Sequence, residues 1–105
     1  MFPTRTQIRE FINGIYFANN NNLNDCIDAC NNNGLLLAAN SIFHDLVNHF
    51  ELPDNYRSGA WRNSFIEHFT NHIINENNIT EAILKRGAIS AFSQIIRYME
   101  LAQNQ

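Results

Sequence analysis

Long apolar runs are missing from this chain. The longest, Leu35-Leu36-Leu37-Ala38-Ala39, has five residues, against the roughly 20 needed to cross a bilayer, so a membrane span is excluded. Cysteine is scarce: Cys26 and Cys30 are the only two among 105 residues, too few for a disulfide-rich scaffold. Four glycines and two prolines exclude a collagen-like chain. Met1-Phe2-Pro3-Thr4-Arg5-Thr6 offers no apolar signal-peptide core. The expectation is therefore a cytoplasmic protein in which both thiols are free. Lysine is nearly absent too, with six of the seven bases being arginine and ten carboxylates facing them. A net charge of −3 argues against nucleic acid, because phosphate binding needs a concentrated positive surface.

What remains is ordinary for a globular protein. Hydrophobic residues make up 45% of the chain, too many for a disordered one, and the length suits one domain over 1–105. Asparagine is over-used in runs at 19–22, 31–33 and 77–78. Asn accepts left-handed backbone and bonds its own main chain, so these runs mark turns and caps.

Between the runs the apolar spacing is helical. Thr4 and Gln7 form a capping box, and Ile8, Phe11, Ile12 and Ile15 follow on one face, in a helix that should end in the 19–22 run. Leu23, Cys26, Ile27 and Cys30 repeat the spacing, with Gly34 expected to take positive φ at the stop. Leu35, Ala39, Ile42, Phe43, Leu46 and Phe50 make a third face, which Pro53 is expected to end. Residues 54–60, with Ser58-Gly59, read as a loop. Trp61, Phe65, Phe69 and Ile73 form a stripe with Ile66 beside it, broken at Asn77-Asn78. Asn78 and Glu81 suggest another capping pair, a short segment from Glu81 to Arg86 is expected to stop at Gly87, and Ile89, Phe92, Ile95, Ile96 and Met99 belong to a last helix. No stretch alternates with period two for long enough to be a strand. The expectation is an all-α fold of five or six short antiparallel helices, as a helical-hairpin stack or a small bundle.

Within 20–54, Asn24-Asp25-Cys26-Ile27-Asp28-Ala29, Gly34, Ala39, Ile42-Phe43, Leu46 and Pro53-Asp54 resemble a single pentatricopeptide repeat, a helical hairpin. That resemblance covers about a third of the chain. It implies single-stranded RNA binding read by Asn24 and Asp54, the alternative to a protein-binding function.

Chemical constellations are sparse. Cys26 and Cys30, and His68 and His72, are both spaced i, i+4, a spacing that can offer two ligands to one metal. Each pair also lies on or beside an apolar stripe, where a small buried thiol or a core-edging ring suffices. Asp45 and His49, next to His44, share the spacing and can pair on a helix surface. No nucleophile elbow, Gly-rich phosphate loop or HExxH helix is present, so no enzyme activity and no cofactor are expected. Tyr56, Arg57, Trp61 and Arg62 bring two aromatics and two guanidinium groups within seven residues, the residue types enriched at interface hot spots. They are the expected partner contacts of a protein–protein interaction module acting as adaptor, inhibitor or regulator. The adjacent Ile95 and Ile96, with Tyr98, give the last helix a wide apolar face, suited to deep burial or to a homodimer through that helix.

Overall fold

In the computed structural model, residues 2–17, 21–57 and 59–103 are described. Asn19, Asn20 and Ser58 of the expected breaks lie outside them. Among the described residues five α-helices follow in order: α1 (Arg5–Phe11), α2 (Asn21–Asn31), α3 (Leu35–His49), α4 (Ala60–Ile73) and α5 (Glu81–Gln103). No strand occurs among the described residues. The all-α expectation holds, as a small bundle with a radius of gyration of 13.0 Å.

The capping box is present. Gln7 N–H donates to Thr4 Oγ1 at 3.1 Å, and Thr4 N–H donates to Gln7 Oε1 at 2.8 Å. Two donors that the first turn leaves without partners are thereby satisfied. Ile8, Phe11 and Ile12 then turn inward. Ile15 does not, and is 58% exposed. Residues Ile12–Tyr16 form a π-helical turn, whose i→i+5 bonding holds more residues per turn than an α-helix. The register slips, so Phe17 is buried and Tyr16 half-buried in place of Ile15.

Two helix ends differ from expectation in which residue makes the turn. After α2 the left-handed residue is Asn33, at φ 68°, while Gly34 has φ −97°. Gly34 serves close approach instead. Its N–H donates to the Ala29 carbonyl at 2.6 Å, and a Cβ there would lie 3.0 Å from that same oxygen. After α3 the left-handed residue is Glu51, at φ 51°. Leu52 N–H donates to Val47 O at 3.1 Å and Glu51 N–H to Asn48 O at 3.2 Å, the two bonds of a Schellman motif. The helix has thus ended before Pro53 can act.

Beyond α4, Thr80 rather than Asn78 opens the last helix. Its carbonyl accepts from Leu84 N–H at 2.9 Å, and its hydroxyl from Ile83 N–H at 3.4 Å. The last helix runs for 23 residues without a break at Gly87, so the expected stop and the shortness of the final helices are both corrected. At Gly87 α4 comes close: a Cβ there would lie 3.2 Å from Ile73 Cγ2 and 3.6 Å from His72 Cβ.

The core is continuous from α1 to α5. At its centre, the Phe43 ring lies 5.4 Å from Phe65 and 6.4 Å from Phe92, and Phe65 lies 6.2 Å from Phe92, measured between centroids. Offset and edge-on pairs at these separations add about 0.5–1.5 kcal/mol each beyond area burial. Residues α5 supplies to this core, including Phe92, Ile95, Ile96 and Met99, are all buried. Ile95 and Ile96 are therefore used within the chain, while Tyr98 of the same expected face is 39% exposed.

Asparagine acts here as a fastener as well as a breaker. Asn31 Oδ1 accepts from Ile79 N–H at 2.9 Å and its Nδ2 donates to Ile79 O at 3.2 Å. One side chain thus replaces a backbone partner and ties the end of α2 to the connection before α5.

Candidate functional site

Three leucines open α3, and consecutive helical residues point about 100° apart. One face can turn inward, so not all three can be covered. Leu35 is half-buried, while Leu36 and Leu37 are 66% and 73% exposed. With Ile66 of α4, Leu36 and Leu37 line a surface groove of about 610 Å³, within the roughly 300–1,000 Å³ common for small-ligand clefts. Its remaining walls are Asn33, Gly34, Asn40, Arg62 and Asn63. Among the described residues the groove has apolar walls, amide groups and one cation, and no carboxylate lines it. Single exposed leucines are unremarkable; two adjacent ones continuous with a third aliphatic residue make a patch.

The four sequence-predicted contacts separate in space. Arg62 is exposed and lines this groove. Arg57 is occupied within its own loop. Its Nε donates to Leu52 O at 2.6 Å and its Nη1 to Asn48 Oδ1 at 2.6 Å, with an exposed carboxylate, Asp54, at 3.8 Å. A guanidinium in that position closes the bend between α3 and α4, satisfying a backbone carbonyl just beyond the end of α3. Tyr56 and Trp61 are half-buried with ring centroids 5.8 Å apart, and Phe2 meets Tyr56 edge-on at 5.2 Å. Leu36, Leu37 and Ile66 were not singled out by residue type; the signal for them was the run of three leucines, which exceeds what one helix face can bury.

The metal-spaced pairs do not converge. Among the described residues no group of three or more His, Cys, Asp or Glu side chains assembles. Cys26 is buried on α2, and Cys30 lies by Leu35, Ile73 and Ile79. On the other side, His68 meets the Tyr98 ring at 5.8 Å. Burial raises the pKa of both thiols, with Cys30 pushed up to about 11 by burial and by neighbouring Cys26. Both thiols are thus poor nucleophiles near neutral pH.

Asp45 and His49 also part company. Asp45 Oδ2 accepts from the Tyr16 hydroxyl at 2.6 Å. Burial, and then this bond, raise the Tyr16 pKa. His49 lies flat on Phe11, with centroids 3.6 Å apart and planes 7° from parallel. The Tyr16–Asp45 bond depends on the π turn, which no residue spacing announced.

No family model, curated protein or solved structure matches this chain.

Proposed function

We propose that this protein is a small helical interaction module. It docks the α3–α4 groove onto another protein and acts as an adaptor, inhibitor or regulator, in the cytoplasm. The observation that carries the reading is the adjacent exposed pair Leu36 and Leu37, continuous with Ile66. Fully covering one such side chain is worth about 1.5–3 kcal/mol. Arg62 makes no ion pair among the described residues. A groove with one cation and no carboxylate suits an amphipathic partner helix whose aliphatic residues flank an Asp or Glu. Tyr56 and Trp61 lie outside the lining of the groove and are a further contact pair in this reading, whereas Arg57 serves the loop.

The test uses helical peptides selected from a displayed library on the whole protein, with affinities then measured by calorimetry. Selected peptides are expected to carry aliphatic residues beside a carboxylate. Leu36→Ser with Leu37→Ser should weaken them at least tenfold, about 1.4 kcal/mol, and Arg62→Glu should weaken them several-fold. Circular dichroism should stay unchanged, because these side chains are exposed. Equal affinity for the double variant would remove the groove from the account. Self-association that the double variant abolishes would make a second copy the occupant and overturn the reading.

A further inference from the structure

The net charge of −3 hides an uneven distribution. Between Arg9 and Arg57 there are six carboxylates and neither a lysine nor an arginine. Five of the seven bases, Arg5, Arg9, Lys85, Arg86 and Arg97, instead line the seam between α1 and α5. Two depressions run along this seam and share Arg5. One, of about 410 Å³, is walled by Arg9, Asn13, Lys85, Arg86 and Ser90. The other, of about 460 Å³, is walled by Phe2, Ser93, Gln94, Arg97 and Glu100. Their apolar floor is Ile8, Ile89 and Ile96, all buried.

The seam follows from helix periodicity. Arg5 and Arg9 are one turn apart on α1. On α5, Arg86, Ser90, Ser93 and Arg97 succeed one another at steps of four, three and four, which keeps them on one face. Lys85 to Arg97 spans about 18 Å at 1.5 Å per residue. Only two carboxylates join them, Glu81 and Glu100, and Glu81 is engaged by Lys85 at 3.7 Å. Arg5, Arg9, Arg86 and Arg97 make no ion pair among the described residues and are exposed. Ser93, beside the second depression, has a buried hydroxyl with no hydrogen-bond partner among the described residues.

We propose that the α1–α5 seam binds single-stranded nucleic acid through its phosphates. Cations spread over that length, rather than gathered around one point, suit an extended polyanion. Guanidinium forks fit phosphate oxygens, and Ser90 and Asn13, which are not buried, supply neutral donors. Phe2, held edge-on by Tyr56, places an aromatic ring at one end of the trough, where a base can stack. An anionic membrane is disfavoured because the aliphatic residues of the seam are buried and none protrudes to insert. A duplex is disfavoured because the seam is recessed, whereas major-groove reading needs a projecting helix or ribbon. The carboxylates of the α2–α3 hairpin repel phosphate, which directs a strand to the seam and away from Asn24 and Asp54. This site is independent of the α3–α4 groove, so the two readings fail separately.

The test is fluorescence anisotropy with labelled oligouridylate and oligothymidylate of about 12 nucleotides, at 50 and 200 mM salt. If four phosphates are engaged, a slope near −0.7 per phosphate makes affinity fall about 50-fold over that fourfold rise. Arg9→Glu with Arg86→Glu should weaken binding at least tenfold and flatten the slope, with the helical dichroism retained. Leu36→Ser with Leu37→Ser should bind as the unaltered protein does. Absence of binding at about 100 µM protein in low salt, a weak limit even for non-specific contacts, would overturn the proposal. So would equal affinity of the charge-reversed variant, tighter binding of a duplex of the same length, or poly-glutamate bound as tightly as the oligonucleotides.

Discussion

Gly87 sits in the middle of a 23-residue helix, and replacing it tests how closely α4 and α5 approach. Two effects oppose one another in Gly87→Ala. Alanine loses less backbone freedom on folding, which stabilises by about 0.5–1 kcal/mol in a helix interior. Against that, the new Cβ would stand 3.2 Å from Ile73 Cγ2 and 3.6 Å from both His72 Cβ and Phe69 Cδ1. Phe69 and Ile73 are themselves buried, so they can yield by only a few tenths of an ångström. The two effects are comparable, and Gly87→Ala is expected to stay within about 1 kcal/mol of the original. Gly87→Val adds two methyl groups where no room is left. Overpacking of this kind costs about 1–3 kcal/mol, so valine should be about 2 kcal/mol less stable than alanine. For a domain of this size that is a fall in Tm of roughly 8–16 °C. Urea unfolding followed by helical dichroism measures it, with constant m showing that the unfolded state has not changed. Valine as stable as alanine would refute the close approach. A loss above about 3 kcal/mol in alanine itself would instead mean that Gly87 needs a backbone conformation alanine cannot take, as a helix stop would.

Two further outcomes follow from local geometry. Glu51 is exposed and left-handed, so Glu51→Gly should raise the unfolding free energy by about 0.5–1 kcal/mol, the relieved backbone cost less the added freedom of the unfolded chain, read as a higher urea midpoint at constant m; a lower midpoint would show that the Schellman turn does not hold Glu51 there. The Cys30 thiol, pushed up to about 11 from an ordinary 9.0, should react with iodoacetamide about 100-fold more slowly in the folded chain than in urea at pH 7.5, as read by mass spectrometry of the labelled peptide. The unfolded chain releases this proton first, so this group leaves stability unchanged below about pH 9 and lowers it as pH rises towards 11.

The parts of this fold that could be read from residue spacing are those in which a regular helix meets a single core. Phe65, Phe69 and Ile73 are buried as their spacing required, and Thr4 with Gln7 forms the expected cap. Spacing fails where regularity does. Ile15 has the right interval to be buried, but the π turn alters the interval's meaning. Gly87 and Gly34 carry the same letter with the same expected role, yet Gly34 is crowded by Ala29 of the helix just ended, while Gly87 is crowded by α4, which is a tertiary fact. Thr80 and Asn78 are both good caps by type, and the hydrogen bonds choose Thr80. Of the candidate contacts, residue type found Arg62 but could not tell it from Arg57, whose partners Leu52 and Asn48 precede it in the same bend. The basic seam escaped notice because its two sides lie some eighty residues apart in the chain.

The long terminal helix has a consequence for how the protein is made. It packs against α1, α2, α4 and the π turn, yet the ribosome delivers it after all of them. At roughly 5–20 residues per second, Ile8 and Phe11 emerge several seconds before Phe92 and Ile96 are synthesised. Through that interval the nascent chain holds oily surface with no mate, and a holdase chaperone has its natural opportunity there. Completion of the fold is thus timed by the last helix to leave the exit tunnel.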